Sequence, residues 1–451
     1  MSANLGFETI GNATITAFEN SKPIITTDPW VDGLPYFGSW GHSYEIPKAQ
    51  RENIYGSKYV WVSHGHPDHL DVLSLEQFKD TTFLIPDHYG DRIYNDLSKK
   101  GFKTEIIPSD VWRPLSTRIK IKSFADWNQD AALLINIDDK DIIVNLNDGQ
   151  GLGWTKKIKQ EIKKFKNRFL LKLYGWGDSD MINLYDIDGN FISPTASTKP
   201  PVGKMYNQGM KKWNCNFGIP FSSTHRYQRE DSMHINEYVT PLSEHYVGFD
   251  SSLGNLLPAF ITWETENESY KEIKPAKLEQ IFHRPEQYGD NWSDQLEKAD
   301  LDFIINYFKH MKHLEDWLGN IHFKVGGVEN TIRISNSEKD IFFQVPRNSL
   351  MAAIKYEIFD DLLIGNFMKT TLLNFKDLGY DYTPYVTKYA DNGGAKSKLE
   401  VENYFQAYHR KSGSCYLTDR FIFKSEEIFR KHISPETKLY KIAKPLKEIL
   451  Q

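Results

Sequence analysis

The stretch Ser63-His64-Gly65-His66-Pro67-Asp68-His69 constrains this chain more than any other. It puts three imidazoles and one carboxylate into six consecutive residues, His64 to His69. The apolar run Tyr59-Val60-Trp61-Val62 precedes it and reads as a buried strand. The Ser74/Gln77 spacing after it fits a capping box at a helix start. The cluster is therefore predicted on a loop between a strand end and a helix, where a rigid scaffold presents side chains. Imidazole nitrogens and carboxylate oxygens suit zinc, iron, nickel or manganese. Polar groups crowded this closely cost stability unless something binds them.

Around this loop the pattern alternates strands with helices, which predicts an α/β layered domain. Gly11-Asn12 reads as a hairpin turn, and Pro23 to Thr27 as a third strand ending in Asp28-Pro29-Trp30. Asp28 either orients a ligand histidine or starts a turn with Pro29. Further strands are expected at 82–86, 119–124 and 131–147, and a helix at 89–100 stopped by Gly101. The strand ending at Asn147 delivers Asp148 to its terminus. The glycines of Asp148 to Gly153 are spaced G-x-G-x-G, not as in a dinucleotide loop, and read as a turn.

His225 follows small polar residues after an apolar segment and is expected to be a distant metal ligand. Arg226 and Arg229 either grip an anionic group or pair with Glu230 and Asp231. After about residue 245 the pattern changes. Helices are expected at 275–283, 294–318 and 348–363, strands at 321–326, 329–335 and 340–346, an exposed loop at 389–398, and closing helices at 399–410 and 425–449. The expected division is a metal-binding domain over residues 1–245 and a C-terminal α+β accessory region over 246–451.

Composition narrows the function classes. The net charge of −5 argues against a general nucleic-acid binder. No apolar run reaches membrane-spanning length. The first residues lack the blocks of a signal peptide, so a cytoplasmic location is expected. The two cysteines, Cys215 and Cys415, form no C-x-x-C pair and have no His at Rieske spacing, so this sequence supports no iron–sulfur cluster.

H-x-H-x-D-H after a buried strand resembles the metallo-β-lactamase superfamily. The resemblance implies an αββα sandwich with metal at the sheet edge. His64 and His66 would serve one metal, and Asp68 and His69 a second. Asp148 would take the place of the bridging carboxylate, and His225 that of the final histidine. The family's mid-domain histidine has no counterpart, because the region reads Phe124-Ala125-Asp126-Trp127-Asn128-Gln129-Asp130. Asp126 is expected to replace it, ahead of Asp130 and His88. A narrower resemblance is to CMP-N-acetylneuraminate hydroxylase and its bacterial relatives. It rests on Thr27 to Trp30 with Gly38-Ser39-Trp40, the Ser63–His69 loop, His225 to Ser232, and Asp360 to Phe367.

The expected cofactor is one or two divalent metal ions, iron ahead of zinc or manganese. The first expected activity is hydroxylation of a polar, nucleotide-sugar-like small molecule, with electrons from an external ferredoxin or reductase. The second is hydrolysis of an ester, amide or phosphoester, and the third is metal binding without catalysis. Asp68 and His225 carry the expected catalytic roles, and Arg226, Arg229 and Trp30 are expected at the substrate.

Overall fold

The computed structural model describes residues 3–78, 80–174, 183–194, 200–375 and 382–432, with side chains as far as 425. Among these, an eight-stranded and a seven-stranded sheet pack face to face. Phe7, Ile15, Trp61 and Leu84 of the first sheet meet Leu133, Ile135, Phe169, Leu171 and Ile219 of the second. Helices cover the outer faces. Lys48–Tyr55 and Arg92–Lys99 pack on the first sheet, and Thr155–Ile162 and Val202–Trp213 on the second. This is the αββα sandwich of the metallo-β-lactamase fold, as the resemblance implied.

The strand Tyr59–Trp61 shows why its sequence is continuously apolar. It lies between the parallel strands Lys22–Thr27 and Thr82–Pro86. Trp61 points into the sandwich, whereas Val60 and Val62 point outward under the helices. A strand covered on both faces has no polar side. The Gly11 hairpin forms as expected, with φ at +68° between Leu5–Ile10 and Thr14–Glu19. The short helix Val72–Leu75 starts earlier than the Ser74/Gln77 spacing suggested, because the Asp71 carboxylate caps it by accepting from the Ser74 amide at 2.8 Å.

A third sheet of five strands, including Asn320–Val325, Val328–Arg333, Asp340–Gln344 and Lys369–Leu373, has its own core around Phe323, Phe343, Leu350 and Phe359. The two regions interleave. Leu184–Tyr185 joins the third sheet, and Asn255–Leu256, Ile261–Glu264 and Ser269–Glu272 complete the large sheets. The sandwich's own strands thus run past residue 245.

Four expectations in this region change. The helix expected at 294–318 is the helix Lys298–Lys309 followed by a separate short helical turn, Lys312–Asp316. The segment 275–283 is not helical. Its backbone stitches to the 43–45 segment, with Glu45 N–H on the Ala276 carbonyl and Leu278 N–H on the Ser43 carbonyl, both at 2.9 Å. The helix expected at 348–363 is two helices, Arg347–Tyr356 and Phe359–Ile364, broken at Glu357 with φ at +52°. The loop expected at 389–398 overlaps the wide helix Pro384–Asn392, anchored where the Tyr307 hydroxyl donates to Asp391 at 2.7 Å. The closing helix spans Ser414–His432, and the remainder of the expected 425–449 helix lies outside the described residues. No described helix is long and apolar enough to cross a membrane.

Candidate metal centre

The His-rich loop leaves the first sheet beside the ends of three other strands. Each of those strands closes on a residue with left-handed backbone: Asp28 just past Lys22–Thr27 with φ at +42°, Asn147 at the end of Asp141–Asn147 at +47°, and Ser222 just past Phe217–Phe221 at +59°. That conformation costs a residue with a side chain on the order of 1 kcal/mol, and such strain gathers at functional sites. Here each turn hands a polar group to the loop. Asp28 Oδ1 accepts from the Ser63 amide at 2.7 Å, and its Oδ2 lies 3.5 Å from His69 Nδ1. Asn147 Nδ2 is 2.9 Å from the same ring nitrogen. The Ser222 hydroxyl donates to Asp148 Oδ1 at 3.0 Å.

His64, His69 and Asp148 form one group whose ligand atoms lie within 4.8 Å of one another. His69 is wholly buried, and its Nε2 sits 3.2 Å from Asp68 Oδ2 and 3.3 Å from Asp148 Oδ2. Neither contact is a hydrogen bond, and that nitrogen has no hydrogen-bond partner. Burial opposes a charge on His69, yet the three surrounding carboxylates of Asp68, Asp148 and Asp28 raise its pKa well above the usual histidine value. His64 goes the other way. Burial, with His69, His66 and His88 as neighbours, holds it well below that value. Asp68 is fixed by two donors, Asn12 Nδ2 at 3.0 Å and the Tyr36 hydroxyl at 2.5 Å. Burial resists its ionisation, but His69, the Tyr36 hydroxyl and His66 hold its pKa below the ordinary carboxylate range.

His225 lies on the short strand His225–Tyr227, paired with Trp40–His42. Its ring stacks on Trp40 with centroids 3.5 Å apart and planes 2° from parallel. Both ring nitrogens are buried without a hydrogen-bond partner. Burial pushes its pKa down to about 3, although Asp68 and Asp148 pull the other way. A neutral, orphaned imidazole beside two carboxylates fits a metal ligand, because leaving such nitrogens bare in a protein interior costs roughly 1–3 kcal/mol each.

Other sequence candidates lie elsewhere. Asp126 spends its carboxylate on the backbone, accepting from Asn128 N–H at 2.8 Å and Leu152 N–H at 3.3 Å. Asp130 comes closer to the loop: its Oδ1 accepts from the Ala131 amide at 2.7 Å and lies 3.5 Å from His64 Nδ1. Trp30 is fully buried and stacked on His42 at 4.0 Å, so it presents no exposed surface to a substrate here. Arg229 is also fully buried. Its guanidinium is occupied by Asp231, Asp290 and the Phe37 carbonyl, and it lies 3.9 Å over the Phe367 ring. Of the two pairings open for the arginines, the structure shows the ion pair at this one. Arg226 alternates to the opposite face of the strand from His225 and donates to the Leu278 carbonyl at 3.0 Å.

His66 reaches away from the first group. Its Nδ1 is 2.8 Å from His64 Nε2, and its Nε2 is 2.8 Å from Asp360 Oδ2. Asp360 opens the helix Phe359–Ile364 of the C-terminal region, and with Asp361 it makes a second group around His66. The sequence offered no spacing signal for this pair, which stands 294 residues from His66. Asn12 and Tyr36 escaped sequence reasoning for the same reason.

Layers, loop position and donor chemistry together define a metallo-β-lactamase fold carrying a candidate metal centre. No family model matches the chain. Among curated proteins it is similar to the cytidine monophosphate-N-acetylneuraminic acid hydroxylase of Asterias rubens, 27% identical over 142 residues, covering 29% of this chain and 20% of that protein. The Cricetulus griseus hydroxylase is 25% identical over 105 residues, covering 22% and 19%. The matched segments thus span about a fifth of those relatives' length. Among solved structures, an isothiocyanate hydrolase from Delia radicum gut bacteria covers 60% of this chain and 100% of its own, at 12% identity and a TM-score of 0.38.

Proposed function

We propose that this chain is an iron-dependent hydroxylase acting on a polar, nucleotide-sugar-like small molecule, with electrons delivered by a separate ferredoxin or reductase in the cytoplasm. One observation carries the reading: His64, His69 and Asp148 form a two-histidine, one-carboxylate group at a sheet edge. That donor set, with positions left open, is the one non-haem iron oxygenases use. The partial similarity to hydroxylases agrees with it.

Bound there, iron would supply oxygen activation. The protein's own groups do the rest. Asn12 and Tyr36 hold the Asp68 carboxylate in place at the site. Asn147 and Asp28 fix the His69 ring, and Ser222 fixes Asp148. Trp40 holds His225 flat against one wall and keeps water from its ring. His66 and Asp148 retain side-chain exposures of 25% and 20%, so a substrate approaches from their side.

A second reading, metal-dependent hydrolysis, is favoured by the group formed by His66, Asp360 and Asp361 beside the first. Two adjacent cations would suit activation of water against an ester, amide or phosphoester. The test is turnover of CMP-activated sugars by the iron-loaded chain with ferredoxin, reductase and reduced nicotinamide. Oxygen-dependent hydroxylated product supports the first reading. Product formed equally without oxygen refutes it in favour of the second.

A further inference from the structure

We propose that Asp360 and Asp361 of the C-terminal region are metal ligands, holding with His66 a second divalent cation so that the centre is built across the two regions of the chain. This rests on the reading that the His-rich loop binds metal, and extends it to residues outside the sandwich.

The break at Glu357 turns the chain so that the helix Phe359–Ile364 presents its first turn to the loop. Asp360 and Asp361 are 8% and 7% exposed. Asp360 Oδ2 meets His66 Nε2 at 2.8 Å, and one oxygen of Asp361 lies within 4.8 Å of both partners' ligand atoms. The Asp361 carboxylate accepts no hydrogen bond from the described residues, although it is more than nine-tenths buried and directed into this group. Two adjacent buried carboxylates repel, and a buried charge without a partner costs several kcal/mol. Among the described residues, His66 is the basic side chain in contact with them and can neutralise a single charge, while the buried Lys388 acts on Asp360 only at longer range. Arg92 is nearby but gives its Nη groups to the Tyr356, Glu357 and Asp391 carbonyls and the Asn392 side chain.

The wider balance points the same way. Asp28, Asp68, Asp148, Asp360 and Asp361 converge on the imidazoles of His64, His66 and His69. Hard carboxylate oxygens with one imidazole suit a divalent cation such as manganese, iron or cobalt. The sandwich lacks a mid-domain histidine, and the C-terminal region brings two carboxylates to the same side of the site. The cation would then also tie the two regions together.

Cobalt(II) alone is the probe, titrated into the metal-free full chain and followed by calorimetry and by its visible absorption. The wild type is expected to bind two ions per chain in distinguishable steps. Asp361→Asn and, separately, Asp360→Asn should weaken one step by at least about tenfold and leave the other intact. His69→Ala should remove the other step instead. Far-ultraviolet circular dichroism verifies that each variant is folded. If Asp361→Asn misfolds, His66→Gln serves as the second variant, with loss of the same step expected. Two unchanged steps in folded Asp360→Asn and Asp361→Asn would overturn the proposal while leaving the loop's metal reading standing. One step in the wild type, abolished by His69→Ala and unaffected by Asp361→Asn, would overturn it too. No cobalt binding at all would overturn the loop reading and this inference together.

Discussion

Asp290→Asn removes one charge from a buried junction between the sandwich and the C-terminal region. Arg229 and Asp290 both have fully buried side chains, with Nη1 to Oδ2 at 2.9 Å. Asp290 also accepts from the Ser349 amide at 2.9 Å and hydroxyl at 2.6 Å, so it links the regions. Breaking a buried pair by neutralising one partner costs about 3–5 kcal/mol, because the remaining charge stays in the interior. Asp231 still engages Arg229 through two bonds of 2.9 and 2.8 Å, which places the expected loss near the low end, about 3 kcal/mol. The control is Asp138→Asn, which breaks a pair with Arg118 whose side chains are 32% and 39% exposed and should cost less than about 1 kcal/mol. Urea unfolding followed by fluorescence and circular dichroism measures both, and coincidence of the two probes tests the two-state assumption. A loss below about 1 kcal/mol in Asp290→Asn, with substrate affinity reduced, would refute the structural role of Arg229 and return it to the substrate.

Three further outcomes follow from the same geometry. Trp40→Leu removes the stacking surface of His225, worth about 0.5–1.5 kcal/mol, and should weaken metal binding by up to about tenfold in calorimetric titration. Gly6→Ala would place a Cβ 1.9 Å from the Trp263 carbonyl oxygen, so the paired strands must separate and the protein should lose about 1–3 kcal/mol in urea unfolding. Burial pushes the pKa of His245 down to about 4, so between about pH 4 and 6.5 the unfolded chain takes up a proton there that the folded chain refuses. Stability from this group is full above about pH 6.5 and lost as pH falls towards 4. His245→Gln should therefore show a shallower acid loss than the metal-free wild type between pH 7.5 and 5, and an identical pH profile would contradict this.

How much of this was legible follows from sequence distance. The His-rich loop announces itself because its donors are contiguous and follow a doubly buried strand. Asp148 was readable from its place at a strand end. Asp360 and Asp361 stood out only as part of the segment that resembles the hydroxylases, without a metal role, because the single helix expected over 348–363 hid the break at Glu357 that sets them against His66. Asp126 and Asp130 are the same residue type four positions apart, and only the fold sets Asp130 beside His64 while Asp126 holds the Asn128 and Leu152 amides. Arg229 and Trp30 misled because the same residue types serve substrate clefts and buried junctions alike. The helix expected at 275–283 failed where a strand-like edge claimed its backbone donors and acceptors.

The central claim is that loop and sheet edge together hold metal. The direct measurement is elemental analysis of the full chain, purified without chelator from iron-supplemented cells, beside a His69→Ala/Asp148→Ala double variant. The account predicts at least one mole of metal per mole of wild-type chain, with iron dominant, and a near-complete loss of the ion held by His64, His69 and Asp148 in the variant. Equal metal content in wild type and a folded double variant would contradict it.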